Sequence, residues 1–286
     1  MGLRRTGMLI LLVTALMLAG TGSVRAEGDG GRGFAITPHF PENQAKGTLG
    51  YYDLWTAPGK TYEVTVDLVN EGATDLLVTI EANTAWTDDG GRIQYTQGKT
   101  MGGTPPVVFS EVVVPEASRM AVPAHSRIPI TVTITMPQDG FDGILLGGLT
   151  FTGQSAGEED AAGVRHAYAY RLGMILRQTA EAVKPEVSVL GARYAVAEQR
   201  LILNIENGAS VLLRPLSLRV EVTSAEDGRR LYAQEHASLE MAPDSTMAYG
   251  IALEAPLPEG DYAVYVTAIC AEDTWTYALK LSVQAQ

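Results

Sequence analysis

The sequence predicts an all-β protein built from two consecutive antiparallel β-sandwich domains. Apolar and polar residues alternate strictly over residues 61–69, which is the pattern of a half-buried strand. Further β-rich segments follow at short intervals with turn dipeptides between them, and no segment of the first half keeps a helical period. The length of 286 residues suits two domains of ordinary size better than a single sandwich.

The first 26 residues have the pattern of a secretory signal peptide. Arg4 and Arg5 give a basic start, residues 8–18 form an apolar run interrupted only by Thr14, and small and polar residues lead to Ala26. The run is too short for a comfortable membrane span. We therefore expect cleavage after Ala26 and a secreted protein that is extracellular or associated with the cell wall. The glycine-rich residues that follow, 27–33, are predicted to be a disordered leader.

Charge and cysteine content narrow the range of partners. The formal net charge is -12, and an acidic chain without a basic stripe argues against nucleic acid and anionic lipid. The single cysteine, Cys270, leaves no internal disulfide, and its apolar neighbours indicate a buried residue. No stretch beyond the signal peptide approaches the length of a membrane span.

The first sandwich is predicted over residues 34–153, and its most distinctive stretch is residues 138–151. Two Asp-Gly turns open this stretch, and an apolar run that begins at Ile144 is interrupted by Gly147 and Gly148. Glycine inside a strand usually marks a β-bulge or a close approach by another backbone or a ligand. The two interpretations are therefore a structural bulge and a surface that a glycan or a partner strand approaches.

The second sandwich is predicted over residues 167–286, after an acidic linker or exposed loop at residues 154–166. Residues 167–176 are apolar and aromatic and supply its first expected strand. The remaining expected strands share the same β-rich composition and cover residues 187–196, 200–205, 216–222, 231–239, 247–253, 262–270 and 275–283.

Short segments in a fixed order carry a resemblance to a known family. They comprise residues 34–44, 52–54, 58–59, 69–70, 85–87, 91–95 and 141–151 in the first half, and residues 168–172, 185–187, 241–245, 257–262 and 275–277 in the second. On these segments the chain resembles the WxL-interacting proteins, which are cell-surface proteins of Gram-positive bacteria. The resemblance implies a peptidoglycan-binding domain followed by a host-binding or partner-binding domain, both of immunoglobulin-like type.

The chain departs from the family at its C-terminus. The family usually ends in a transmembrane helix and a basic tail, whereas this sequence stops directly after its last expected strand. We therefore expect retention on the cell to depend on the wall or on partners. Each of the three tryptophans is followed by threonine, so the chain resembles the interacting partner and not a WxL protein.

Enzyme signatures are weak. The pattern G-x-G-x-x-G at residues 28–33 and the pattern G-x-S-x-G at residues 153–157 both lack the strand–turn–helix context that their chemistry requires. We expect neither an enzyme nor a cofactor. Turn chemistry explains Asp88, Asp89, Asp139 and Asp142 better than calcium binding does. A chaperone-like scaffold that works by strand addition is the alternative, and a glycan hydrolase is less favoured.

A surface that binds wall glycan requires aromatic faces together with amide and carboxylate groups. Eight residues of the first domain meet this requirement or line the glycine interruption. They are Asn43, Gln44, Trp55, Trp86, Tyr95, Asp142, Gly147 and Gly148. A core position is an equally good interpretation of Trp86. In the second domain Trp275 is expected in the core, while Tyr265 and Tyr277 fit either location.

Overall fold

The computed structural model describes residues 33–48, 50–97, 106–155 and 167–284. The predicted signal peptide, leader residues 27–32 and residues 156–166 of the predicted linker lie outside these ranges. Within them, no helix is long and apolar enough to cross a membrane.

The described residues form strands and one short helix, which confirms the predicted all-β class. The first part of the chain contains β1 (Phe34–His39), β2 (Tyr52–Trp55), β3 (Thr61–Asn70), β4 (Leu76–Thr84), β5 (Trp86–Thr87), β6 (Ile93–Gln94), α1 (Phe109–Val112), β7 (Val113–Pro115), β8 (Arg119–Val122), β9 (Ser126–Thr135), β10 (Ile144–Ser155) and β11 (Ala167–Arg177). The second part contains β12 (Val187–Ala195), β13 (Arg200–Asn207), β14 (Leu213–Ser224), β15 (Arg230–Met241), β16 (Ser245–Ala252), β17 (Gly260–Cys270) and β18 (Asp273–Val283).

The first sandwich packs a four-stranded sheet, in the order β1-β3-β9-β7, against a five-stranded sheet, in the order β2-β11-β10-β4-β8. Alternation places Val64, Val66 and Leu68 of β3 in the core, where they join Leu149 and Phe151 of β10. These side chains are at most 3% exposed. The alternating pattern of the sequence is thus the pattern of the pleat, with one face of each sheet buried.

Strand β11 is a strand of the first sandwich, although the sequence analysis places it at the start of the second. It runs antiparallel to β10, from the pair Ile144 and Arg177 to the pair Gln154 and Ala167, and parallel to β2 on its other side. Gln154, assigned to the linker, is therefore part of β10. Consecutive strands tend to pair with each other, and the change in composition that suggested a domain boundary falls between two such neighbours.

The second sandwich packs the sheet β12-β13-β16 against the sheet β15-β14-β17-β18. Its core includes Leu203, Ile205, Leu218 and Val264, all fully buried. Cys270 is 7% exposed and is an unpaired thiol, as expected from the sequence. Burial raises its pKa, which disfavours the reactive thiolate.

The hairpin of β5 and β6 joins the two sandwiches. The amide of Ala242 donates a hydrogen bond to Thr87 Oγ1 at 2.9 Å, and Thr87 Oγ1 lies 2.8 Å from Ser245 Oγ. The amide of Glu240 donates to the carbonyl of Gly91 at 2.9 Å. Thr87 and Ser245 are at most 7% exposed, so this contact is buried, and both hydroxyl groups have hydrogen-bond partners. Buried polar groups whose hydrogen bonds are satisfied add specificity to a contact.

Apolar side chains extend this contact between the sandwiches. Ala85, Leu146 and Ile175 of the first sandwich pack with Ala242 of the second. Gly143, with φ +78°, brings the chain against Ser210, whose carbonyl accepts a hydrogen bond from the amide of Ile144 at 2.8 Å. Residues 85–87, 91–95 and 241–245, which carried the family resemblance, therefore meet at this junction.

Candidate functional site

The outer face of the five-stranded sheet carries the candidate site. Tyr52 and Leu54 of β2 and Leu172, Met174 and Leu176 of β11 point into the core. Because side chains alternate across a strand, the intervening positions lie on the opposite face. We use the term outer face for these intervening residues of β2 and β11 together with the two β10 residues paired with them, Gly148 and Thr150. The residues of β2 and β11 are Asp53, Trp55, Arg171, Gly173, Ile175 and Arg177.

Asn43 and Gln44 organise the free edge of β2. The carbonyl of Asn43 accepts the amide of Trp55 at 2.9 Å, and Asn43 Nδ2 donates to the carbonyl of Trp55 at 2.7 Å. Gln44 Nε2 donates to the carbonyl of Tyr51 at 3.0 Å, and its Oε1 accepts the amide of Asp53 at 3.2 Å. The side-chain amides of Asn43 and Gln44 thus hold the backbone segment that carries Tyr51 and Trp55.

An ion pair lies between these two aromatic side chains. Arg177 Nε and Nη2 donate to Asp53 Oδ1 and Oδ2 at 2.7 and 2.8 Å, and Asp53 is only 6% exposed. The guanidinium carbon of Arg177 also lies 5.3 Å from the centre of the Trp55 ring. A bidentate pair and a cation–π contact fix the arginine. Tyr51 and Trp55 each remain 40% exposed, so their rings are available to a ligand.

Tyr95 lies across a pair of glycines on the same face. Gly148 of β10 pairs with Gly173 of β11. A Cβ atom at Gly148 would come within 2.8 Å of the Tyr95 ring, and one at Gly173 within 3.4 Å of its hydroxyl oxygen. The ring therefore occupies the space that two missing side chains leave. Partial burial raises the pKa of Tyr95, so its hydroxyl stays protonated and able to donate.

The structure contradicts a bulge at Gly147 and Gly148, while the approach of a ligand to this part of the sheet stays a prediction. The pairing of β10 with β4 and β11 continues through both residues without a bulge. Gly147 faces Phe109, whose ring lies 2.2 Å from the position a Cβ atom would take, and Gly148 lies under Tyr95. Both glycines are buried, so a close approach does occur at each, but the approaching groups are aromatic rings of the same chain.

The other predicted residues lie elsewhere. Trp86 is half-buried in the hairpin, where its indole Nε1 donates to the carbonyl of Thr96 at 2.9 Å. Asp142 is exposed in the loop next to Gly143, at the junction between the sandwiches. Asn43, Gln44 and Trp55 come together, whereas Trp86 and Asp142 do not join them.

Three residues of the site were missed by the sequence analysis. Asp53 lies within β2, whose four residues are too few to show an alternating pattern. Arg177 and Gly173 lie on β11, which the sequence analysis assigned to the other domain. Pairing Asp53 with an arginine 124 positions away has no local signal in the sequence.

Turn chemistry accounts for Asp88. Its Oδ1 accepts the amides of Gly90 and Arg92 at 3.0 and 2.9 Å, and its Oδ2 accepts Gln94 Nε2 at 2.8 Å. Across residues 33–48, 50–97, 106–155 and 167–284, no group of three His, Cys, Asp or Glu side chains is arranged to hold a metal ion.

The second sandwich exposes one aromatic residue at the centre of a sheet face. Tyr265 of β17 is 45% exposed, and it lies opposite Glu221 of β14. Arg219 Nε donates to Glu235 Oε2 at 3.0 Å beside it. Trp275 and Tyr277 instead pack against the core, and the Tyr277 hydroxyl donates to the carbonyl of Val187. Tyr265 is thus the accessible member of the three aromatics considered in this domain.

Comparison with known proteins gives two domain matches. The model of the WxL Interacting Protein peptidoglycan binding domain matches residues 34–153, and the model of the WxL Interacting Protein host binding domain matches residues 159–286. No curated protein matches the sequence.

The solved structures that match this chain include three bacterial chaperone structures. The E. coli chaperone DraB is 13% identical, over 87% of this chain and 99% of that chain, with a TM-score of 0.37. The SafA pilin in complex with the SafB chaperone of Salmonella enterica is 12% identical, over 87% and 99%, with a TM-score of 0.36. The CsuC–CsuE complex of Acinetobacter baumannii is 14% identical, over 76% and 90%, with a TM-score of 0.39.

The two domain matches follow each other without overlap and in the order expected from the resemblance. Both describe binding domains of a cell-surface protein, and neither describes an enzyme. On this basis the chain belongs to the WxL-interacting protein family.

Proposed function

We propose that the protein attaches to peptidoglycan through the outer face of its first sandwich, and that its second sandwich binds a WxL-domain surface protein or a host protein. The family matches support a cell-surface binding protein of this kind. The family matches are equally consistent with a location at the cell wall and with a location outside the cell. Secretion by the predicted signal peptide brings the chain to either location.

The observation that carries the wall-binding proposal is the pair of exposed rings around a fixed arginine. Tyr51 and Trp55 stand four residues apart on one side of β2, or about 13 Å at ~3.3 Å per residue. Between them lies the Asp53–Arg177 pair. Rigid aromatic faces with a few fixed polar groups are typical of sites that bind sugars and other amphipathic ligands. The edge of β2 is already paired with residues 43–45, so strand addition is not favoured there.

Replacing Trp55 with alanine should weaken binding to purified sacculi more than tenfold. Truncating an exposed aromatic anchor at the centre of a binding surface costs about 2 kcal/mol, and tenfold corresponds to about 1.4 kcal/mol. The measurement is retention of the mature chain, residues 27–286, in a sacculus pull-down. Leu190→Ala is the control, since Leu190 is 60% exposed on the second sandwich. Equal retention of all three proteins would contradict the site, and release of soluble sugar would point to a hydrolase.

Replacing Tyr265 with alanine should abolish co-purification with a WxL-domain protein while sacculus binding stays intact. Tyrosine and arginine are enriched at the energetic centres of protein interfaces, and Tyr265 lies beside Arg219 on an accessible sheet face. The assay mixes the purified chain with a WxL-domain protein and measures the complex by size-exclusion chromatography. Leu190→Ala serves again as the control. A complex that survives the Tyr265 substitution would place the partner surface elsewhere.

A further inference from the structure

Arg171 borders the platform that Tyr95 forms. Its neighbours in sequence turn to the core, since Leu172 is 3% exposed and the Tyr170 hydroxyl donates to the carbonyl of Phe34 at 2.7 Å. Arg171 therefore projects from the outer face, where it is exposed. It pairs across the sheet with Thr150, whose hydroxyl donates to the carbonyl of Tyr95 at 3.1 Å.

Gly173 lies two residues further along β11, or about 6.6 Å at ~3.3 Å per residue. The hydroxyl end of Tyr95 lies over Gly173, and the Cβ atom of Tyr51 lies 3.8 Å from the position that a Cβ of Gly173 would take. A flexible arginine side chain spans this distance easily. The Arg171 side chain is therefore long enough to reach the part of the sheet where the two tyrosines lie.

Arg171 differs from Arg177 and Arg214 in its ion pairing. Arg177 is matched by Asp53 at 2.7 Å, and Arg214 of the second sandwich by Glu240 at 3.1 Å. Among the residues that the structure describes, Arg171 has no such carboxylate partner. The planar guanidinium is suited to bind a carboxylate through two parallel hydrogen bonds.

We infer that the strip formed by Tyr51, Tyr95 and Arg171 binds a sugar that carries a carboxylate, with the rings under the sugar and Arg171 on the acidic group. This inference rests on the proposed attachment to peptidoglycan and specifies the chemistry that the site recognises. The carboxylate belongs either to the sugar itself or to a peptide attached to it. A neutral glycan of the same length binds more weakly, because it leaves the guanidinium without its partner.

The test compares two preparations of purified sacculi, one untreated and one whose carboxylates have been converted to amides. The mature chain, residues 27–286, should bind the amidated preparation about tenfold more weakly, since a hydrogen bond to a charged group contributes on this scale. Arg171→Gln should bind both preparations equally, at the weaker level. Arg119→Gln is the matched control, because Arg119 is an exposed arginine on β8 of the same sheet and forms no ion pair with another residue that the structure describes. Its binding should equal that of the unmodified chain.

Competition identifies the source of the carboxylate. An amidase cleaves the bond between sugar and peptide and exposes the carboxyl group of the sugar, so glycan strands freed of peptide compete if the site accepts a carboxylate on the sugar. Released wall peptides compete if the site accepts a carboxylate on the peptide. Competition by neither overturns the inference. Equal binding of the unmodified chain to both sacculus preparations also overturns it, while leaving wall attachment intact. Failure to bind untreated sacculi would instead contradict the proposed function itself.

Discussion

A fragment of residues 27–155 is expected to remain unfolded, whereas a fragment of residues 27–184 folds cooperatively. The shorter fragment lacks β11, which lies between β10 and β2 in the five-stranded sheet. It loses Leu172, Met174 and Leu176, all at most 3% exposed. Burial of three such side chains contributes about 5 to 9 kcal/mol, which is comparable to the whole stability of a typical domain, roughly 5–15 kcal/mol.

Circular dichroism and thermal unfolding of the two fragments provide the measurement. Only the longer fragment should show a cooperative transition. A synthetic peptide of residues 167–177 added to the shorter fragment tests the cause directly, because it supplies the missing strand without a covalent link. A cooperative transition for residues 27–155 alone would show that β11 is dispensable for the first sandwich.

Gly147→Ala should mainly reduce stability, whereas Gly148→Ala should mainly reduce sacculus binding, although the residues are adjacent. The new methyl group at position 147 would lie 2.2 Å from the ring of Phe109, which is fully buried in the core of the first sandwich. Overpacking of this kind typically costs about 1–3 kcal/mol and sometimes more. At position 148 the methyl group would lie 2.8 Å from Tyr95, whose half-buried ring shifts outward at small cost to stability. The displaced Tyr95 should then weaken sacculus binding.

Chemical denaturation measures the first effect, and the sacculus pull-down measures the second. Combining Gly147→Ala with Phe109→Ala gives a double-mutant cycle. The double variant should lose less stability than the sum of the two single losses, because removing the Phe109 ring also removes the clash. Equal destabilisation by the two glycine substitutions would contradict the assignment of one ring to each glycine.

The regular alternation of side chains along a pleated strand explains why the sequence predicted the buried face of individual strands. In β3 the alternation of Val64, Val66 and Leu68 with polar residues predicted which face is buried, and these residues do form the core. The same rule anticipated the buried Cys270 in the second sandwich. Such patterns are local, because each side chain's direction follows from its place in its own strand.

The segments that resemble the family predicted the two domains and their order, but they did not predict the structural role of each segment. Thr87, Gly91 and Ala242 belong to segments that resemble the family, and the structure places them at the contact between the sandwiches. Gln44 was predicted as a ligand-binding residue, which stays a prediction, and the structure shows that its amide holds the edge of β2. A polar residue type indicates the ability to form hydrogen bonds, while the partner is decided by the surrounding chain.

The sequence by itself determined that this protein is two β-sandwiches, because alternation and turn residues act over a few positions. Only the tertiary structure decided that β11 completes the first sandwich, that Gly148 and Gly173 together hold Tyr95, and that Arg177 neutralises Asp53. Each of these depends on which strands become neighbours in a sheet. That choice joins residues far apart in the chain and leaves no periodic trace in either segment.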